Sequence, residues 1–479
     1  MKGWRVPLKR AALAVALACG AAACRITPYC RHPGATPRLF ELSYPLDYHV
    51  PNYVKFDWSD DFLLGDPDEY RQELAGPLAA LAASTYGAPE EMDLRSLERL
   101  GFPRARTFRR YGRAIDYSDP KWKKDQVGFT LAAKDAVFGD GTKAQVVVVA
   151  VRGTFGRDEW VSNLNVCNSW GRDAEPFDLA MPSHHQGFER AAANLLEAFE
   201  SFAAAEAVDF RTAKILVCGH SRGGAVANLV GARLCEDARI PHGNLFVYTF
   251  AAPNTIIRAE PAGTDRRYWN VFNVLNPEDC VPLVPLVAWN SHRYGRDLRL
   301  KHFECAEMPR ALVDAAYLRM KDEFEKMTGV SYWHMLFGTW STDLLPSAIE
   351  AVAPDVPALY HVPPDQRADG NLTSVQSILE SLIYRGMRTA EENEKISLGD
   401  DIARLSQIYS KMDAGLLKSL TGNFIIPDGR TPVKPGFWDI PWRVVCSHAT
   451  QTYVGWMKAG EFYGPRAIYS NWDDASAAR

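Results

Sequence analysis

Residues Ala213–Val230 read AKILVCGHSRGGAVANLV, and their reading decides the fold. The first six form a short apolar run, as in a strand buried on both faces. Gly219-His220-Ser221-Arg222-Gly223-Gly224 follows, after which Val226, Val230 and Leu234 recur at helical spacing. The pattern Gly-x-Ser-x-Gly is weak by itself: with glycine and serine each near ~7% of residues, chance supplies about one match in six chains of this length. The strand before it and the helix after it strengthen the signal. A nucleophile elbow needs a sharp strand-to-helix turn that lifts a serine hydroxyl above the sheet edge. The glycines on either side permit a strained backbone and let helix and strand pack closely.

The same rhythm extends outward. Ala144–Val151 (AQVVVVAV), Asn244–Phe250 (NLFVYTF) and Trp269–Leu275 (WNVFNVL) read as further strands, and Phe188, Ala191, Leu195, Phe199 and Phe202 mark another helix. Alternation of this kind predicts an α/β fold of the α/β-hydrolase type, with a mostly parallel central sheet covered on both faces and right-handed crossovers. The core is assigned to residues 81–305, and residues 441–479 are read as its C-terminal part. Residues 24–80, rich in Pro, Tyr and Asp, predict an irregular N-terminal extension. Residues 306–440 break the rhythm and predict a largely helical, cap-like insertion. Within it Val375, Ile378 and Leu382, then Ile402, Leu405, Tyr409 and Met412, recur at helical spacing between Pro-rich stretches. Its aromatic residues Tyr332, Trp333, Phe337 and Trp340 suit an acyl groove, although such side chains more often form core.

The chain has 479 residues, 47% apolar and 23% charged, an ordinary globular balance. Its formal net charge is −4 and no Lys/Arg run occurs beyond the N-terminus, which argues against a nucleic-acid partner. Lys2, Arg5, Lys9 and Arg10 precede the apolar run Ala11–Ala18, which is too short to span a bilayer, a task needing about 20 residues. Ala21-Ala22-Ala23 and Cys24 follow, so residues 1–23 read as an export signal of the bacterial lipoprotein type, with Cys24 as the lipidation site and Cys19 as the second choice. The expected location is the cell envelope, lipid-anchored or periplasmic, or secretion. The nine cysteines include no CxxC pair, so a zinc site has no support, and spacing does not reveal disulfide connectivity.

A serine hydroxyl is a poor nucleophile near neutral pH, so a base must take its proton and a carboxylate must orient that base. In α/β hydrolases these follow the serine in the order Ser, Asp/Glu, His. Just past the strand WNVFNVL comes Asn276-Pro277-Glu278-Asp279, at the same sheet rim as Ser221. Asp279 is the chosen acid, with Glu278 its neighbouring alternative. Two N–H donors must face the developing oxyanion. One comes from Arg222, directly after the nucleophile. The other is assigned to Thr154, in the turn Arg152-Gly153-Thr154 that ends the strand AQVVVVAV.

Taken together, these segments resemble the class 3 lipase family, the fungal-lipase-like branch of the α/β hydrolases. VVVVAVRGTFGRDEWVSNL (Val146–Leu164) resembles its strand, RGT/RGS oxyanion turn and Trp-containing segment, here with Trp160 and Asn163. HQGF (His185–Phe188) resembles its HxGF helix entry, and LVCGHSRGGAVANL is similar to its elbow. FAAPNT and NPEDCVPLVP resemble its later strand end and its D-x-V-P-x-x-P acid motif. The resemblance covers residues 125–300 and implies Thr154 and Arg222 as oxyanion donors and Asp279 as the acid. The extension and the insertion lie outside it.

Five histidines follow Asp279. His292, in SHRYGRDL, resembles a family strand at the sheet edge and is not the base. His302, in LRLKHFEC, has the sequence distance usual for the family. His448, in VVCSHATQTYVGWM, stands where an apolar run ends and a Tyr/Trp-bearing helix starts, which is where this fold expects its base. His334 and His361 fall inside the insertion. His448 is therefore chosen, with His302 the alternative, and the insertion then lies between acid and base. The expectation is a serine hydrolase that cleaves carboxylic, lipid-type esters through an acyl-enzyme, with neither metal nor organic cofactor. The alternatives are a non-catalytic lipid-binding protein on a lipase scaffold and a peptidase or acyltransferase.

Overall fold

The computed structural model describes residues 34–43, 51–111, 126–155, 159, 163, 183–257, 265–283, 291–301, 310–329, 332 and 446–473. The export segment 1–23, Cys24, and the insertion between residues 332 and 446 lie outside the described residues, as do Trp160, His302, His334 and His361.

Strands β1 (Thr36–Ser43) and β2 (Pro51–Trp58) pair antiparallel, and helices α1 (Gln72–Ser84) and α2 (Met92–Arg99) follow. Then come β3 (Thr107–Arg110), β4 (Phe129–Val137) and β5 (Lys143–Val151). The two-residue β6 (Ser183–His184) and α3 (Gln186–Ala205) lead to β7 (Lys214–His220), α4 (Arg222–Glu236) and β8 (Leu245–Phe250). After β9 (Ile256–Ile257) come β10 (Val271–Leu275), β11 (Ser291–His292) and β12 (Arg296–Arg299). Helices α5 (Arg310–Thr328), α6 (Thr450–Tyr463) and α7 (Pro465–Ile468) complete the described elements.

The central sheet runs β12-β10-β8-β7-β5-β4-β3. Strands β5, β7, β8, β10 and β12 are parallel, while β4 and β3 extend the sheet antiparallel. This is the α/β-hydrolase arrangement: parallel strands joined through helices, with the serine turn after β7. The β5 run shows why a continuous apolar stretch belongs here. Val147, Val149 and Val151 pack with α3 and α4 on one face, and Val146, Val148 and Ala150 pack with α1 and α6 on the other. The small sheet β11-β9-β6 carries His292, apart from the large one.

Two boundaries read from the sequence are corrected. The described residues between 34 and 80 are not irregular: they hold β1, β2 and most of α1, and a division at residue 80 would cut through that helix. All residues of α1 except Glu73 are buried, so the helix has no polar face and no helical period in its hydrophobicity. Gly76 and Pro77 inside it also read as turn punctuation. The second correction concerns the insertion, whose first helix is part of the core layer. Helix α5 packs along α6, with Tyr317 on Trp456 at 6.1 Å between ring centroids. Gly455 allows that approach, since a Cβ there would stand 2.8 Å from the Met320 carbonyl oxygen. Tyr332 is likewise core, packed on Phe324 with its hydroxyl donating to Glu278 at 2.9 Å.

Candidate active site

Ser221 stands between β7 and α4 with φ 59° and ψ −130°, a conformation that non-glycine residues rarely adopt. Three features hold it there. The Ser221 N–H donates to the carbonyl of Phe250, the last residue of β8, at 2.9 Å. A side chain at Gly219 would overlap the Gly223 backbone, and one at Gly223 would meet the Arg152 backbone at 2.6 Å. Helix α4 can therefore start directly against the end of β5, which brings the Arg152-Gly153-Thr154 turn alongside the elbow.

His448 Nε2 lies 2.8 Å from Ser221 Oγ, and His448 Nδ1 lies 2.8 Å from Asp279 Oδ2. A carboxylate only accepts, so Nδ1 carries the proton and Nε2 is left to accept from the serine hydroxyl. Asp279 is fully buried, and its charge is balanced by donors. Besides His448, the Tyr453 hydroxyl donates to Oδ2 at 2.7 Å and the Val281 N–H to Oδ1 at 2.9 Å. A hydroxyl bonded to an imidazole that is bonded to a buried carboxylate is the arrangement that activates a serine for attack.

The loops carrying acid and base are tied to each other. Asn276, at the end of β10, donates through Nδ2 to the Ser447 carbonyl at 2.9 Å, and through its backbone N–H to the Tyr453 hydroxyl at 3.2 Å. Tyr453 lies on α6, and His448 stands just before that helix, so one short stretch of chain carries both the imidazole and a donor to its carboxylate. Burial and the adjacent Asp279 push the Tyr453 phenol well above the usual range, which keeps it a donor. Glu278, the alternative acid, points elsewhere: it is buried and accepts from Tyr332.

His220, beside the nucleophile, is buried under the base, with ring centroids 4.8 Å apart. Its Nδ1 meets the Tyr86 hydroxyl at 3.0 Å. Burial, reinforced by the His448 ring, holds the His220 imidazole well below the usual histidine range, so it stays neutral. Gly153 makes room for Tyr86, whose hydroxyl a side chain at that position would overlap. Cys280, next to the acid, has its thiol pushed up to about 12 by burial and Asp279, which keeps it protonated.

Thr154 and Arg222, the assigned oxyanion donors, are bridged by Asn163. Asn163 Nδ2 donates to Thr154 Oγ1 at 2.9 Å, and Arg222 Nη1 donates to Asn163 Oδ1 at 2.9 Å. The guanidinium is buried, donates also to the Gln126 carbonyl at 3.0 Å, and lies over the Phe188 ring at 5.5 Å. The turn itself is braced by Glu159, which accepts from the buried Arg152 at 3.0 Å and from the Phe155 N–H at 2.7 Å. Burial pushes the Glu159 carboxyl above its usual range, with Arg152 and Arg222 opposing that shift.

The sequence points to Ser221, Asp279, His448, Thr154 and Arg222, and its Trp-containing segment includes Asn163. Tyr86, His220 and Tyr453 are site neighbours that the sequence does not reveal. The tyrosine on the helix after His448 was visible, but nothing local aimed it at Asp279. Among the described residues no cluster of three or more His, Cys, Asp or Glu could hold a metal ion.

Residues 148–289 match the class 3 lipase family. No curated protein sequence matches the chain. Solved structures similar to it include the triacylglyceride lipase of Rhizomucor miehei, 20% identical, with 37% of this chain and 64% of that one covered and a TM-score of 0.24. The match thus spans less than two thirds of that lipase. The lipase of Rhizopus microsporus var. chinensis is 17% identical, with 56% and 84% covered and a TM-score of 0.32. Lipase II of Rhizopus niveus is 17% identical, with 48% and 78% covered and a TM-score of 0.32.

Proposed function

We propose that this protein is a serine hydrolase of the class 3 lipase kind, cleaving carboxylic esters of lipid type through an acyl-enzyme. The observation that carries the reading is the unbroken line Ser221 Oγ, His448, Asp279, each link at 2.8 Å. In the first step Ser221 Oγ attacks the acyl carbonyl while His448 Nε2 takes its proton. Asp279 holds the resulting imidazolium, and the carbonyl electrons move to an oxyanion facing the Arg222 and Thr154 donors. Collapse expels the alcohol, which takes the proton back from His448. A water molecule then repeats the sequence on the acyl-enzyme, releasing the carboxylic acid and restoring Ser221. Each step balances without a cofactor.

The family match over residues 148–289 supports a lipid ester as the substrate class. The test is fluorophosphonate labelling and release of fatty acid from triglyceride, phospholipid and short-chain ester, comparing wild type with Ser221→Ala. Labelling and hydrolysis that both vanish in the variant are expected. Labelling that persists without Ser221, or wild type that cleaves none of these esters, overturns the reading.

Export and lipid anchoring at Cys24 are proposed with it, supported by the basic, apolar and small-residue order of residues 1–24. Metabolic labelling with a radioactive fatty acid should mark the wild type and not Cys24→Ser, and label retained in the variant would refute the anchor.

A further inference from the structure

We propose that Arg293 is a positioning residue for the catalytic acid, its guanidinium tying the loop that carries Asp279 to the strand end that holds the nucleophile. The inference rests on the reading of Ser221, His448 and Asp279 as a catalytic triad.

Arg293 opens the turn between β11 and β12, and three contacts seat that turn. Gly295, with φ 82°, lies so close to β10 that a Cβ there would stand 2.2 Å from the Val271 carbonyl oxygen. Asn273 of β10 donates to the Tyr294 carbonyl at 2.9 Å. Asn228, two helical turns beyond Ser221 on α4, donates to the same carbonyl at 2.8 Å and accepts from the Tyr294 N–H at 3.1 Å. Both asparagines are fully buried, so water does not compete for these bonds. The backbone beside Arg293 is thereby fixed to the helix that starts at the nucleophile.

From there the buried side chain reaches the acid loop. Its Nη1 donates to two carbonyls at once, that of Ala252 at 3.0 Å and that of Pro282 at 2.5 Å. Ala252 lies two residues past Phe250, whose carbonyl accepts the Ser221 N–H, and it follows Ala251, which has φ 53°. Pro282 lies three residues past Asp279, in the turn whose Val281 N–H donates to Asp279 Oδ1. One nitrogen thus spans the segment after the nucleophile's anchor and the segment after the acid. Nε and Nη2 meanwhile grip Asp297 of β12 at 3.2 and 2.8 Å, which fixes the plane of the fork. Without the clasp the acid loop keeps its own turn bond but loses its register with the end of β8. A displacement of about 1 Å at such a group can cost about 10²-fold in rate.

Two substitutions separate the halves of the fork. Arg293→Lys keeps a cation beside Asp297, but one ammonium cannot hold the carboxylate and both carbonyls together. Asp297→Asn removes the ion pair and leaves Nη1 on its two carbonyls. Each protein is measured for steady-state hydrolysis of a soluble p-nitrophenyl ester and for thermal midpoint. The downfield proton NMR signal of His448 Nδ1–H, identified by its loss in His448→Gln, reports the bond to Asp279.

The expected result is that Arg293→Lys lowers kcat at least about fivefold with KM changed less than about threefold, and moves the Nδ1–H signal. Its thermal midpoint should fall less than that of Asp297→Asn. Asp297→Asn should do the reverse, keeping kcat within about twofold and the signal in place while the midpoint drops. An arginine with a structural role alone would make kcat follow the midpoint in both variants. That result, a smaller loss of kcat in Arg293→Lys, or an unmoved signal there overturns the inference while leaving Ser221-dependent fluorophosphonate labelling intact. If that labelling is itself missing from the wild type, the reading of the site has failed, and the inference with it.

Discussion

At the scale of single residues, Ser221 occupies a backbone conformation that costs on the order of 1–3 kcal/mol, which the surrounding elements must offset. The His448 ring beside it is held from three directions: by Asp279 on Nδ1, by Ser221 on Nε2 and by the face of His220. His448→Gln should lower kcat by on the order of 10⁴- to 10⁶-fold without abolishing the fold, as steady-state kinetics alongside circular dichroism would show. An equal loss from His302→Gln, with His448→Gln active, would reverse that assignment. Tyr453→Phe removes one donor from the buried carboxylate. A hydrogen bond to a charged group contributes about 1.5–3 kcal/mol, so a loss of roughly tenfold or more in kcat is expected, with KM little changed. At this scale the acid was legible because it follows a strand end directly. The partner Tyr453 was not, because its hydroxyl reaches Asp279 across 174 residues of chain.

At the scale of elements, the junction of β7 with α4 depends on backbone contacts that admit no side chain. Gly223→Ala would drive a methyl group into the Val151 and Arg152 backbone, so a loss of 1–3 kcal/mol or more is expected, read as a lower denaturant midpoint. The end of β7 also makes the protein acid-sensitive. His220 is held neutral in the folded chain by burial and by His448, whereas the unfolded chain takes up a proton below pH about 6.5. Its contribution is therefore present above that pH and is lost as pH falls, with a slope of up to about 1.4 kcal/mol per pH unit. His220→Gln should flatten the stability profile below pH 6.5 by that amount, and an unchanged slope in urea titrations would contradict it. Strands β5, β7, β8 and β10 were readable because burial on both faces leaves long apolar runs. Strand β4 (FTLAAKDAV) was not, since its lysine and aspartate mask the pattern while Lys134 is buried against Asp60 at 2.7 Å.

At the scale of the whole molecule, one face of the sheet is closed by segments from both ends of the chain. Helix α6 lies between α1 and α5. Gln72 of α1 donates to the Met457 carbonyl at 3.0 Å, and Gln451 of α6 donates to the Ser43 carbonyl of β1. Trp456, 2% exposed, fills the joint. Trp456→Ala should cost about 3–5 kcal/mol, lowering the urea midpoint, because the cavity opens between helices that cannot collapse onto each other. The same substitution should loosen His448, which stands two residues before the start of α6. A fall in activity at temperatures well below the melting midpoint would register this, and full activity there would show the base to be held by its own loop alone.

The amino-acid sequence by itself determined the α/β class and the serine elbow and pointed to Asp279, because each depends on a few contiguous residues whose backbone conformation is set locally. The apolar run decides the strand, the glycines permit the turn, and the carboxylate follows a strand end. The sequence chose His448 among five histidines, with His302 the alternative, but only tertiary structure places it against Ser221, since that contact spans 227 residues and depends on α6 docking between α1 and α5. Tertiary structure also decided that β1, β2 and α1 belong to the core. Helix α1 is buried on every side, so no polar face remained in its sequence to reveal the helix. The polarity of the Arg222, Asn163 and Thr154 bridge has the same origin: an amide can face either way until a buried guanidinium chooses its oxygen.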